Sequence, residues 1–367
     1  MKILYAIQGT GNGHLSRARE IIPLLRNKCE TDILVSGTHS EITLPWDIKY
    51  RLKGFGFTFG KKGGVDLWNT YVNSHAKNLR DEIRALPVKD YDFVINDFEP
   101  VSAWACLINK VPCISLSHQA ALLDKHSPRP KKADPFGRFV LRNYAPSSVR
   151  FGFHFSRYSK NIFTPVIRNE VRSLVPSDQG YYTVYLPAYS NEELIKRLKH
   201  FPDIRWQVFS KYATEDSRYE NIEFHAVTNE GFLSSLAGCT GILCGAGFET
   251  PAEALYLGKK LMVIPMYNQI EQHFNAASLK ELGIPVIKQF REKYYGRIQE
   301  WIDSDFKIEI HYPDQTESII NQIFELHIMK ILRKNNLEKD YALTYIMKGD
   351  KHKKKADYQF FSKKGMK

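Results

Sequence analysis

Gly245-Ala-Gly-Phe-Glu-Thr-Pro-Ala-Glu-Ala254, followed shortly by Asn268-Gln-Ile-Glu-Gln-His-Phe-Asn-Ala276, is the stretch from which the rest of the chain is read. A glycine-rich turn closes a strand expected over 240–244 and opens a helix expected over 248–257. Backbone N–H groups at a helix start are unpaired and sit at the positive end of the macrodipole, so they hold phosphate oxygens. Thr250 and Glu253 lie at i and i+3 on one face of that helix. The next apolar strand, ending Ile264-Pro-Met266, delivers Asn268, Gln269, Glu271 and Gln272 to the same edge. Carboxylates and amides grip vicinal hydroxyls. An ordinary tight strand–helix turn would not gather polar residues at two neighbouring strand ends. One site for diphosphate, ribose and sugar is therefore expected, and with it a nucleotide-sugar enzyme.

Strand-like apolar runs alternate with amphipathic stretches on both sides of this region. In the first half strands are expected over 2–8, 31–36, 91–96 and 112–117, with helices over 14–28, 66–86 and 100–110. Pro23 is expected to kink the first helix. In the second half strands are expected over 181–187, 205–210, 221–225, 240–244, 260–265 and 284–288. Helices are expected over 191–200, 229–237, 248–257, 270–282 and 292–303. Apolar strands that do not alternate with polar residues mean parallel sheets covered on both faces. The fold class is α/β, with two Rossmann-like doubly wound domains: an N-terminal one over 1–160 and a C-terminal one over 181–312. Residues 161–180, with Pro165 and Pro176, read as the connection. A helix over 313–345 carries Ile320, Ile323, Phe324, Ile328 and Ile331 at helical spacing, and a basic tail occupies 346–367.

Composition narrows the partners. The 367 residues are 43% apolar, ample for packed cores, and no apolar run approaches the ~20 residues of a membrane span. Lys2-Ile-Leu-Tyr-Ala-Ile7 reads as a strand rather than a secretory leader, so a cytoplasmic protein is expected. Five cysteines (Cys29, Cys106, Cys113, Cys239, Cys244) lack CxxC spacing and read as reduced core thiols. A net charge of +12 favours an anionic partner: nucleotide, anionic lipid or nucleic acid. Much of it lies in Lys348–Lys355 and Arg129–Lys132. Few aromatic residues interleave with that charge, which disfavours nucleic acid. There is no GK[ST] phosphate loop and no zinc spacing, and Asp303-Ser-Asp305 reads as a helix end rather than a metal site.

The first turn, Gly9-Thr-Gly-Asn-Gly-His14, joins the first strand to the first helix, where doubly wound sheets bind ligands. Its spacing is not GxGxxG, and no acid stands at the end of the second strand, so a dehydrogenase is not expected. His14 faces the crevice at a helix start that disfavours its cation, and a neutral imidazole can take a proton from a hydroxyl. Asp97 and Glu99 emerge from the strand Phe93-Val-Ile-Asn96; one reads as a helix cap, the other as a base or an orienting group. His118 and Gln119 end the next strand in the equivalent place.

The glycine turn ending in His14, and the run Gly245-x-Gly-x-x-Thr-x-x-Glu253 continued by Gly258, Pro265, Glu271-Gln272 and Asn275-Ala276, resemble GT-B glycosyltransferases of families 1 and 28. These families include the N-acetylglucosaminyltransferase of the lipid-linked peptidoglycan precursor. Asp97–Pro100 and Ser117–Gln119 resemble a bacterial and archaeal branch labelled only as glycosyltransferase. The resemblance implies two domains facing a cleft, an inverting and metal-independent transfer, and no cofactor. It implies that Gly245, Ala246, Gly247, Phe248 and Glu249 offer N–H groups to the diphosphate of a UDP-linked donor. Thr250 would add a hydroxyl, Glu253 would hold the ribose, Gln269, Glu271 and Gln272 the sugar, and Val227 the base. His14, Asp97 and Glu99 are the implied catalytic set. Gly11, Asn12, Gly13, His118 and Gln119 form the implied acceptor side. The acceptor would be a sugar, a lipid-linked group or another hydroxyl. Gln8 and Asn12 stand where family 28 has glycine, and Gly245-Ala246 where relatives carry a basic or serine-like residue.

Pro135-Phe-Gly-Arg-Phe-Val-Leu-Arg142, preceded by Lys131 and Lys132, mixes apolar and cationic residues. It reads either as a core helix with solvated arginines or as a surface resting on the anionic inner face of a membrane. Two other functions are compatible with the motifs: a UDP-sugar 2-epimerase of the same fold, and a non-catalytic nucleotide-sugar or nucleic-acid binder.

Overall fold

The computed structural model describes residues 1–37, 43–54, 76–130, 135–267, 269–308 and 310–328. The first sheet has seven parallel strands in the order β3-β2-β1-β4-β5-β6-β7. They are β1 (Lys2–Gln8), β2 (Glu30–Ser36), β3 (Tyr50–Leu52), β4 (Phe93–Asp97), β5 (Cys113–Ser117), β6 (Val149–Phe153) and β7 (Ile162–Phe163). Helices α1 (Asn12–Arg26), α2 (Ala76–Ala85), α3 (Pro100–Asn109), α4 (His118–Leu122) and α5 (Pro135–Tyr144) connect them. α1 runs on through Pro23. β1, β4 and β5 are buried along nearly their whole length, which is why they read as unbroken apolar runs.

α6 (Asn169–Arg172) leads to the second sheet, of six strands in the order β10-β11-β9-β8-β12-β13. These are β8 (Tyr181–Tyr185), β9 (Arg205–Ser210), β10 (Ser217–Tyr219), β11 (Ile222–Ala226), β12 (Gly241–Gly245) and β13 (Lys260–Ile264). All pairings are parallel except that of the short edge strand β10 with β11. The helices are α7 (Asn191–Leu198), α8 (Asn229–Gly238), α9 (Glu249–Tyr256), α10 (Ile270–Glu281) and α11 (Tyr295–Asp303). Each sheet has its own apolar core, one around Leu4, Val94 and Val101 and one around Val184, Trp206, Met262 and Trp301.

Register sets the functional edges. Gln8 lies opposite Ser36, and Ile7 opposite both Val35 and Asp97, so the turn after β1 and the residues after β4 leave the sheet side by side. Gly245 lies opposite Ile264, so the turn after β12 and the loop after β13 also emerge together. The first of these edges, between β1 and β4, is where the doubly wound sheet reverses its strand order; in the second sheet the reversal lies between β8 and β12, so the turn after β12 flanks it.

Several elements differ from expectation. β3, β7 and β10 are two- or three-residue strands whose pairing comes from their neighbours. β7 lies inside the expected connection yet pairs with β6 (Phe153 opposite Phe163). The strand expected over 284–288 is reduced to one bridge, Val263 to Val286. Within the helix expected over 66–86, the described part is Ala76–Ala85. Met1–Thr316 form one compact unit. A helix is described over 316–328. Lys131, Lys132, Asn268 and the basic tail lie outside the described residues.

Candidate active site

After β1 the chain turns through Gly11, at φ 94° and ψ 152°, a backbone open to glycine, and enters α1 without a side-chain cap. His14 stands in the first turn of α1 with its Nδ1 2.9 Å from Asp97 Oδ1. Asp97 ends β4 and is fully buried. Its other partner is Arg17, one turn beyond His14 and 2% exposed. Arg17 Nη2 lies 2.9 and 2.8 Å from the two Asp97 oxygens, and Nε lies 3.2 Å from Oδ2. Burial alone would raise the Asp97 carboxyl; the Arg17 guanidinium, with the hydrogen bond from His14, outweighs it and holds the group below the usual carboxylate range.

An ionised Asp97 accepts the proton on His14 Nδ1. Arg17 Nη2 also approaches Nδ1, at 3.2 Å, but the shorter contact with a carboxylate decides for Nδ1–H. The amide of Gln119 points the same way. Its nitrogen donates to Glu271 Oε2 at 2.9 Å and lies 3.4 Å from His14 Nε2, a donor facing a lone pair. The result is an imidazole with Nδ1 held by Asp97 and Nε2 turned away from it, towards Gln119. Gln119 Oε1 is buried without a hydrogen-bond partner among the described residues. An acceptor left open at such a place is suited to a ligand hydroxyl.

Phe98 takes φ 57°, the left-handed region, which costs a bulky residue ~1–2 kcal/mol. Its ring stacks on Tyr144 at 4.7 Å and packs with Leu122, Leu141 and Phe274. The kink lets Asp97 face α1 while Glu99 faces α3. Glu99 accepts from the N–H groups of Val101 (2.8 Å) and Ser102 (2.6 Å) and from Ser36 Oγ (2.7 Å). It is the N-cap of α3, with both oxygens occupied, and this corrects its expected place in the catalytic set. His118 is likewise turned inward. It is 1% exposed, with Nδ1 2.8 Å from Phe153 O and Nε2 2.7 Å from Asn275 Oδ1. Its ring stacks on Phe248 at 3.9 Å. It joins the two sheets' residues instead of lining an acceptor site.

On the second sheet, α9 also starts without a side-chain cap, and Pro251 in its first turn has no N–H to leave unpaired. The N–H groups of the residues from Gly247 to Thr250 are thus the open donors of this helix start. The two glycine turns abut: a Cβ on Gly13 would stand 3.0 Å from Glu249 Cγ. Glu249 Oε1 accepts from Arg17 Nη1 at 2.5 Å. Burial pushes the Glu249 carboxyl up to about 7, with Arg17 opposing the shift and Glu253 and Asp97 adding to it. Ala246 O accepts from Asn275 Nδ2 at 3.1 Å. Gln272 lies against Gly245, and its Oε1 accepts from Met266 N at 2.9 Å, so it shapes the loop after β13. Gln269 is the residue before α10, with Oε1 buried and unpartnered among the described residues. Thr250 is half-buried in the first turn of α9.

Glu253 carries a forked ion pair with Arg168: Nε to Oε1 2.6 Å, Nη2 to Oε2 3.0 Å. Burial raises the Glu253 carboxyl, and Arg168 opposes this. Arg168 Nη1 also donates to Asn229 Oδ1 at 2.8 Å. This ties Glu253 to the loop that holds Val227, which is half-buried between β11 and the Thr228 cap of α8. The structure thus gathers His14, Asp97, Arg17, Glu249, Gln119 and Glu271 in one network, and separately joins Glu253 through Arg168 to Asn229, two residues beyond Val227.

The profile of the family described as Glycosyl transferase family 1 matches residues 1–302. The chain belongs to this family. No curated protein matches it in sequence. Among solved structures, Acinetobacter baumannii MurG is similar at 13% identity and TM-score 0.55, covering 88% of this chain and 99% of that one. Phytolacca americana UGT2, complexed with UDP-2-fluoro-glucose and pterostilbene, is similar at 13% identity and TM-score 0.55, covering 88% and 93%. Arabidopsis thaliana UGT89C1, complexed with UDP, is similar at 12% identity and TM-score 0.53, covering 89% and 94%. At these identities the likeness concerns the fold, two Rossmann-like sheets of GT-B type.

In this glycosyltransferase, two residues of these contacts were missed in the sequence reading. Arg17 follows His14 by three residues, and that spacing on a helix was the available signal. Arg168 lies in the expected connection, where nothing in its neighbours marks it. α5 keeps Leu141 and Tyr144 buried while Phe139 is 64% exposed, combining features of both readings of that segment. No helix among the described residues is long and apolar enough to cross a membrane.

Proposed function

We propose that this glycosyltransferase moves a sugar from a nucleotide-diphospho-sugar to an acceptor hydroxyl with inversion. The observation that carries the reading is the basic Nε2 of His14, buttressed by Asp97, beside the uncapped start of α9. His14 Nε2 takes the acceptor hydroxyl proton as the oxygen attacks the anomeric carbon. The bond from that carbon to the diphosphate breaks, and its electron pair leaves on the phosphate oxygen. N–H groups from Gly247 to Thr250 meet the growing charge at the positive end of α9. Glu253 receives the ribose, Glu271 with Gln119 the sugar hydroxyls, and the loop at Val227 the base. A uridine diphosphate donor is favoured by the UDP and UDP-2-fluoro-glucose bound to two structural neighbours. A lipid-linked acceptor at an anionic membrane surface rests on the exposed Phe139 and Arg142 of α5.

The test is a thermal-shift panel of UDP-sugars, followed by turnover with the best ligand. Wild-type protein and His14→Ala should bind the same donor, and only the wild type should transfer the sugar. Transfer by His14→Ala at the wild-type rate would reject the base assignment. Turnover of the donor alone to an epimer would reject transfer itself. Salt-dependent pelleting with anionic vesicles checks the membrane part separately.

A further inference from the structure

We propose that Arg17 exchanges one bond when the donor binds: its Nη1 leaves the Glu249 carboxylate for an oxygen of the diphosphate, while Nε and Nη2 stay on Asp97. The inference rests on the reading above that a nucleoside diphosphate docks at the start of α9. It names the cation that meets the diphosphate and the group that yields to it.

The geometry makes the exchange local. Three of the four close contacts of Arg17 with carboxylates go to Asp97, through Nε and Nη2. Only Nη1 reaches the second sheet's residues, where it meets Glu249 Oε1 at 2.5 Å. A planar guanidinium can therefore keep its fork on Asp97 and change partners at Nη1 without moving. Space for the newcomer lies alongside. A Cβ on Gly247 would meet nothing within 4 Å, and the same holds for Gly11 on the facing turn.

The charges require an exchange of this kind. Glu249 is the first residue of α9, so its carboxylate stands beside the N–H groups that would receive the diphosphate. A dianionic ligand and an ionised Glu249 would share one cation. The groups around Glu249 are Arg17 and His14 from α1, Asp97 from β4, Glu253 from its own helix, and Arg168, which senses its charge from the segment before α6. Two of these are acids. Once Arg17 turns to the phosphate, Glu249 loses its direct partner and takes a proton from solvent. Burial already pushes its carboxyl up against the pull of Arg17, so losing that partner favours its protonation. The proton balance is one solvent proton onto Glu249 for each diphosphate bound, with Arg17 charged throughout. Arg17 thereby links donor occupancy to Asp97, and through Asp97 to the orientation of His14.

Titration calorimetry with UDP, in two buffers of different ionisation enthalpy at about pH 8, tests this. The wild-type protein should take up about one proton per UDP bound, and its affinity should fall by up to about tenfold per pH unit above 7. Glu249→Gln should take up none and should bind UDP with little pH dependence. Because Arg17 also neutralises the buried Asp97, replacing it endangers the fold, and Glu249→Gln is the decisive variant. Arg17→Lys, where folded by circular dichroism, should bind UDP at least about tenfold more weakly, because an ammonium cannot serve Asp97 and a phosphate as a fork. Equal proton uptake and equal pH slopes in wild type and Glu249→Gln would overturn the exchange while leaving the donor site intact. UDP binding to neither protein at any pH would remove the donor site and the exchange together.

Discussion

Asp97→Asn separates the chemistry of the site from its binding. Asp97 receives one bond from His14 and three contacts from Arg17, all in a fully buried position. An amide keeps the shape but loses the charge, and its NH2 group must face a donor on one side. His14 then has no carboxylate to fix the Nδ1–H tautomer or to stabilise the imidazolium. General-base assistance is worth about 10²–10⁴ in rate, so kcat should fall about 10³-fold, or about 4 kcal/mol. Stripping one partner from a buried ion pair costs about 3–5 kcal/mol. Glu249 still holds Arg17, so the loss should lie at or below the lower end, lowering Tm by several degrees. The assay is UDP release with the preferred UDP-sugar and an acceptor, run well below the variant's Tm, with UDP affinity measured alongside. The expected pattern is a large fall in kcat with a much smaller change in UDP affinity. Adding His14→Ala to Asp97→Asn should cost little more, because the two act as a unit. A variant whose kcat stays within about tenfold of the wild type would refute the role given to the Asp97 contact.

Three other outcomes follow from the contacts described. Glu253→Gln breaks the fork with Arg168 and removes the carboxylate proposed to receive the ribose, so UDP affinity should fall about 10–100-fold by calorimetry, with kcat at saturation changed less. His118 and His154 are both buried, and burial lowers the pKa of each. The folded state thus binds fewer protons than the unfolded chain, and the stability these residues contribute is complete above the ordinary histidine pKa of ~6.5. It should be lost as pH falls from there towards their folded values, at up to about 1.4 kcal/mol per pH unit for each; a Tm unchanged between pH ~7 and ~5 would contradict this. Lys110 ends α3 in the left-handed region at φ 58° with an exposed side chain, so Lys110→Gly should raise stability by about 0.5–1 kcal/mol in urea melts.

The pieces that were legible from residues alone share a feature: their signal is local. Unbroken apolar runs mark β1, β4, β12 and β13, because strands buried on both faces have no polar side to show. The glycine turns before α1 and α9 are readable because a tight turn restricts residue choice. The short edge strands β3, β7 and β10 have too few residues to carry a pattern and exist only because a neighbour offers hydrogen bonds. Glu99 and Asp97 look equivalent in sequence, two acids at one strand end. Phe98 in the left-handed region turns them to opposite sides, one to cap α3 and the other to hold His14.

The order of residues by itself determined two parallel sheets, the two glycine turns that open onto helix starts, and the chemical types gathered there. Those are matters of side-chain period and backbone restriction within a few residues. Tertiary structure alone decided which groups meet. Arg17 reaches Glu249, 232 residues away, and Gln119 reaches Glu271, 152 residues away. A carboxylate's partner, charge and role depend on what the fold brings within hydrogen-bond distance and shields from water, and no local pattern encodes that.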